Sequence, residues 1–227
     1  MTGIVPLVDL RKQIGPVRDQ GQRPTCLAFA ASDAHAAARG EWNALSADYL
    51  YLRAQIISGN GTDQGSSLDA IMNVLHDDGQ PTEAALPYAS KPPIDLKTWK
   101  PPAGLTLYRR AGASSSPGAK DVRSDLDTGV PSIMLLMLSR SFYFASSNGL
   151  IDDVPGDPPD QERRHAVVAV GHGLLGERPL TLIRNSWGPE WAAQGYAWLT
   201  DEFLSPRLYA TAKMMEDLSV STYSDAA

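Results

Sequence analysis

This chain of 227 residues contains a single cysteine. No intrachain disulfide can form, and enzymes of this size that work outside the cell usually carry bridges, so a reducing, cytoplasmic setting is expected. One cysteine and four scattered histidines give no metal-ligand spacing, and neither a metal nor an organic cofactor is expected. Long apolar runs are missing too. The longest, Ile133–Leu138, is the size of a strand, so no membrane span is expected. The N-terminal MTGIVPLVDLRKQ lacks the basic-then-apolar order of a secretory signal. Basic residues are in deficit, 20 against 26 acidic for a formal charge of −6, which makes nucleic acid a poor partner. What remains, 43% hydrophobic and 20% charged residues, is an ordinary globular balance with enough chain to bury a core unaided.

The first half reads as helical and the second as strand-rich, an α+β arrangement. Residues 1–24 show no sustained periodicity, and residues 1–18 read as an extended lead-in. Thr25 is a good N-cap type, and seven alanines follow between Leu27 and Arg39 before Gly40, as in a helix buried on several sides. A second helix is predicted over Ala47–Ile57 behind Ser46. A third follows Ser66 or Ser67, with Leu68, Ile71, Met72 and Leu75 at helical spacing and Gly79 as the stop. Prolines 87, 92, 93, 101 and 102 mark a loop-like crossover. Strands are predicted at 105–110, 132–138, 165–172, 180–185 and 196–199, a short helix at 121–128, a flexible turn at 111–118 and an acidic, proline-rich loop at 152–162.

Cys26 opens the alanine-rich helix, where free N–H groups and the helix dipole favour a thiolate. An imidazolium would favour it more, and His165 is the candidate. The same imidazole could return its proton to a leaving amine. Asn185 could accept from the other ring nitrogen and orient it. Gln20 could donate, beside the Cys26 backbone N–H, to the oxyanion of a tetrahedral intermediate.

QGQRPTCLAF, RRHAVVAVGHG and LIRNSWGPEWAAQGYAWL resemble the three signature blocks of papain-family (C1) cysteine peptidases. His165 and Asn185 follow Cys26 by 139 and 159 residues, against about 130–150 in that family. VDLRKQIGPVRDQGQ, LSADYLY and GTDQGSSLDAIMNVLHDDGQPTEAALPY are similar to further family segments, as are GVPSIMLLM and FASSNGLID, so the likeness covers most of the chain in order. The resemblance implies one papain-like domain over 1–227, with a helical lobe over about 19–104 and a β-barrel lobe over about 105–227. The active site, with its peptide or protein substrate, would lie in the groove between them. It further implies that Trp187 shields the His–Asn contact, that Gly65 and Ser66 bind substrate backbone, and that Met134 lines a side-chain pocket or simply fills the barrel. The chain departs from the family in Arg23-Pro24-Thr25-Cys26-Leu27, where Cys-Gly-Ser-Cys-Trp is usual, in Arg164 before the histidine, and in Ser66 for glycine. No family-type propeptide is read before Val8-Asp9, so restraint by a removed segment, an inhibitory domain or a separate protein is expected.

The implied activity is thiol-dependent peptide hydrolysis. An acyl-transferase or ligase using the same Cys–His–Asn site, or a non-catalytic papain-like binding module, are the alternatives. Arg23, Arg163 and Arg164 read as solvated cations balanced by the acidic loop rather than as substrate contacts. His35 reads as exposed or core-satisfied, His76 as a surface residue at a helix C-terminus and His172, between two glycines, as a turn residue.

Overall fold

A computed structural model describes residues 3–115 and 118–224. Two residues of the lead-in (Met1, Thr2), two of the expected 111–118 turn (Ser116, Pro117) and the last three of the chain lie outside the described residues. The chain divides into two compact units, Met1–Asp19 with Ser114–Lys213 and Gln20–Ala113 with Met214–Ala227.

Three helices build the second of these units. They are α1 (Cys26–Ala38), α2 (Ala47–Ser58) and α3 (Leu68–Asp77), and α2 packs on both others. In α1 every residue from Leu27 to Ala37 is buried, and the small alanines let neighbours approach from all sides. Ser46 and Ser67 cap their helices by accepting from the N–H of Tyr49 and Ala70, and Gly59 ends α2 in a left-handed conformation. Thr25 occupies the N-cap position of α1 but makes no capping bond; its hydroxyl lies 2.9 Å from the Tyr88 hydroxyl instead.

A sheet dominates the first unit. In chain order the remaining elements are β1 (Ile4–Asp9), β2 (Thr106–Ser115), α4 (Ala119–Asp127), β3 (Ser132–Met137), α5 (Arg140–Tyr143), β4 (Leu150–Ile151), β5 (Arg164–Leu175), β6 (Arg178–Arg184), β7 (Tyr196–Thr200), α6 (Asp201–Leu204) and β8 (Leu208–Thr222), with most of β2 and the outer part of β8 falling in the second unit. The strand order is β2-β8-β3-β5-β6-β7-β4, with β1 joined to β5. Among the described residues this path does not close, so the expected barrel is an open sheet. Residues 111–115 continue β2 rather than turning, and β1 gives the expected irregular lead-in a strand.

β1 explains two glycines. A Cβ on Gly171 or Gly173 would come within 2.5 Å of the carbonyl oxygen of Val8 or Val5. Only glycine lets β1 pair so closely with β5. His172 between them is therefore a buried strand residue, bonded at 2.7 Å to Asp127, and not a turn residue. Met134, Phe142, Val167, Ile183, Leu199 and Phe203 belong to one apolar cluster beneath the sheet.

Burial also overturns the solvated reading of Arg23. This side chain is buried against Asp48, donates at 2.6 Å to the Ala89 carbonyl and lies over the rings of Tyr51 and Tyr88. Its strand of loop leads straight into Cys26. Nearby, Gln80 uses both amide hydrogens on Ser32 and the Ser46 carbonyl, so its oxygen must accept from His35 Nδ1 at 3.2 Å. His35 is fully buried, its Nε2 has no partner among the described residues, and burial pushes its pKa down to about 4 against the opposing effect of Gln80. Arg110 and Arg39 add to the lowering, and Asp217 opposes it. With a folded-state pKa below the unfolded one, the unfolded chain takes up the proton first as pH falls. Stability is therefore complete above about pH 6.5 and is lost on acidification toward pH 4, by about 3 kcal/mol for this group at most. Urea melts of His35→Gln between pH 7 and 4.5 should show a lower stability at pH 7 but a shallower acid slope than wild type. Parallel slopes in the two proteins would rule His35 out as the acid-sensitive group.

Candidate active site

Two of the residues marked by sequence stand at neighbouring ends of antiparallel strands. His165 is the second residue of β5, and Asn185 follows the last residue of β6. The His165 Nε2–H donates to Asn185 Oδ1 at 2.7 Å. The Ser186 backbone N–H donates to the same oxygen at 2.8 Å. A backbone N–H can only donate, which fixes which end of the Asn185 amide is oxygen and so which ring nitrogen of His165 carries hydrogen. In the neutral ring Nδ1 is then the basic atom.

Aromatic rings cover this bond. Trp187 lies 4.6 Å from the His165 ring and Phe142 5.9 Å from it. Tyr143 stacks on Trp187 at 5.4 Å, and Trp191 meets the Trp187 edge at 5.8 Å while donating its indole N–H to the Phe142 carbonyl. Burial drives the His165 pKa down to about 4, although the Asn185 bond raises it. Phe142 and Tyr143 went unread in the sequence. They sit on a four-residue helix, too short for any periodic signal, and only the aromatic run of Ser141-Phe142-Tyr143-Phe144 hints at them.

Arg184, immediately before Asn185, is almost wholly buried. It donates to the carbonyls of Gly15 and Pro16 and to the Tyr196 hydroxyl. Beyond it, the Gly188 N–H donates to the Arg18 carbonyl and Asp19 bridges to Trp187. The lead-in is thus fastened along the loop that carries Asn185 and Trp187 up to the residue before Gln20. Arg164 is exposed, bonded to the Gln161 carbonyl and set over Tyr209.

Gln20, Cys26, Gly65 and Ser66 belong to the helical unit. Cys26 is half-buried at the first position of α1, and no acidic side chain occupies that first turn. The N–H groups of a helix's first turn and the helix dipole favour an anion. Gln20 is buried and donates one amide hydrogen to the Arg23 carbonyl at 2.9 Å, while its own carbonyl accepts from Tyr88. Gly65 is exposed and Ser66 half-buried, on a loop built by α2. Gln55 donates to the carbonyls of Gly61 and Gln64, Tyr51 to those of Thr62 and Gln64, and the Ser66 hydroxyl is drawn back onto Gln55. Met134, in the sheet unit, is fully buried in the apolar cluster. No group of three His, Cys, Asp or Glu side chains gathers among the described residues, and no helix among them is long and apolar enough to cross a membrane.

The geometry makes a spectroscopic prediction. In ¹⁵N-histidine NMR at pH 7, His165 should appear as the neutral Nε2–H tautomer, and Asn185→Leu should erase that preference. An Nδ1–H tautomer in wild type would contradict the assigned bond.

A family model described as papain family cysteine protease matches residues 5–210. Among curated relatives, the chain is 28% identical over 188 residues to an aleurain-like thiol protease of Arabidopsis thaliana, covering 81% of this chain and 51% of that protein. It is 30% identical over 203 residues to cathepsin K of Gallus gallus, covering 85% and 58%. The chain spans about half the length of the first of these relatives. Among solved structures, the cysteine protease xylellain of Xylella fastidiosa is similar with a TM-score of 0.72 at 23% identity, over 93% of this chain and 86% of that one. The digestive procathepsin L 3 of Tenebrio molitor gives 0.72 at 21% identity, over 92% and 69%. By its sequence match and its fold, this chain belongs to the papain family of cysteine proteases.

Proposed function

We propose that the chain is a thiol peptidase that cleaves peptide bonds through a thioester on Cys26. The observation that carries this reading is the His165–Asn185 bond. It holds a buried, neutral imidazole with Nδ1 as its proton acceptor, in a chain whose only thiol begins a helix. In this mechanism His165 Nδ1 takes the thiol proton as Cys26 Sγ attacks the carbonyl carbon. The Cys26 N–H and the Gln20 side-chain amide receive the oxyanion. As the C–N bond breaks, His165 returns the proton to the leaving amine. Water, deprotonated by the same nitrogen, then attacks the thioester, and the acid product leaves as the thiol re-forms. No step calls for a metal or organic cofactor, but a reductant is needed to keep Cys26 from oxidation.

Gly65 and Ser66 would pair with the substrate backbone, since their loop is fixed from behind by Gln55 and Tyr51. Trp187 would act by excluding water from the His165–Asn185 bond. Family membership favours hydrolysis over acyl transfer or a purely binding role. The neighbour solved as a procathepsin suggests an inhibitory segment or protein as a partner here too.

The direct test is covalent labelling by an epoxysuccinyl inhibitor, read by intact mass. Stoichiometric labelling of wild type and none of Cys26→Ala is expected; a folded, reduced wild type that stays unlabelled would end the peptidase reading. Asn185→Ala should keep the fold yet lose about 100-fold in kcat, since a misoriented imidazole forfeits most of general acid–base catalysis. Full activity in that variant would remove Asn185 from the mechanism.

A further inference from the structure

The chain of aromatic contacts that covers His165 does not stop at Trp187. Tyr143 stacks on that indole, and Tyr143 in turn lines a groove of about 910 Å³. Phe144, 76% exposed, lies in it, and Pro158 and Pro159 form a rigid wall. From the His165 ring to the Trp187 ring is 4.6 Å and on to Tyr143 a further 5.4 Å. That path is about three residues of extended chain.

The groove's charges are unevenly used. Asp157 accepts from the backbone N–H groups of Arg140 and Ser141, one on each carboxylate oxygen. Asp160 accepts from the Glu162 N–H and pairs with Arg163 at 3.0 Å. Both carboxylates are therefore occupied, as is one of the two cations. The Arg140 guanidinium, exposed beside Phe144 with 5.7 Å to the ring, has no carboxylate partner among the described residues. A groove that holds one unanswered cation over an exposed ring complements an anion attached to a short apolar stem.

We propose that this groove selects peptides with an acidic side chain two or three residues beyond the scissile bond, Arg140 meeting its carboxylate and Phe144 its methylenes. The inference rests on the peptidase reading, because His165 protonates the leaving amine and the leaving segment is the one that passes Trp187. Asp and Glu fit; Lys and Arg are repelled by Arg140. The selectivity is modest. An exposed ion pair contributes up to about 1 kcal/mol, or about fivefold in kcat/KM, and added salt weakens it.

The experiment is digestion of a proteome-derived peptide library by the whole protein, with both sides of each cut read by mass spectrometry and the epoxysuccinyl label as a control for an intact thiol site. Cuts should be enriched about three- to fivefold for Asp and Glu at the second or third leaving-side position, less so in 0.5 M salt. Arg140→Glu, still labelled, should replace that enrichment with one for Lys and Arg, and Arg140→Ala should show neither. A labelled wild type that cuts without acidic enrichment overturns the groove assignment alone. So does an Arg140→Glu variant that keeps the wild-type preference. A protein that neither labels nor cuts overturns the peptidase reading and this inference with it.

Discussion

A guanidinium buried to 1% exposure must find acceptors within the protein, and the sheet unit is organised around that demand. Arg184 meets it with the carbonyls of Gly15 and Pro16 and the hydroxyl of Tyr196. The planar fork of arginine donates in several directions at once, which a lysine could not reproduce. The partners lie far apart in sequence, so satisfying one charge joins the start of the chain to β6 and β7. Asn185 is the next residue, and its position follows from the same anchor. So does the course of residues 15–19, which end fastened to the Trp187 loop and hand the chain on to Gln20.

The helical unit solves a similar problem with a different charge. Arg23 is buried with Asp48 and held over Tyr51 and Tyr88, and both tyrosines also bind backbone carbonyls of functional loops. Tyr51 fixes Gln64, beside Gly65, and Tyr88 fixes Gln20. Removing one partner of such a buried pair typically costs about 3–5 kcal/mol, because the other charge is left without compensation. The loop that delivers Cys26 to the start of α1 is thus rigid by electrostatics as well as by packing.

How legible this was depended on whether a residue's role is local. Ser46, Ser67 and Gly79 could be read because a cap or stop acts within one helical turn. β3, β5, β6 and β7 could be read because their apolar runs report burial directly. β1 could not, since it is mostly exposed and exists through pairing with β5 some 165 residues later. The outer half of β8, exposed from Met215 to Thr222, carries no pattern of burial for the same reason. Arg23 was misread as solvated because its partner Asp48 is 25 residues away and nothing nearby in sequence announces it. His172 was misread because glycines signal turns in isolation, whereas here they admit a neighbouring strand. At the candidate site, the pairing of His165 with Asn185 was legible in the signature blocks. The second acceptor role of Asn185 and the cover from Phe142 and Tyr143 were not, since they arise from strand ends and a single helical turn brought together by the sheet.

The His165 environment limits how the proposed chemistry can be driven. Burial disfavours the imidazolium, so a proton on His165 has to be offset by a nearby anion or by water. Rings that exclude water strengthen the ion-pair attraction while raising the cost of burying each charge. Trp187, Phe142 and Tyr143 thus act on the ionisation of the site as much as on its shape, and a peptide lying over Trp187 would complete the same cover from the solvent side.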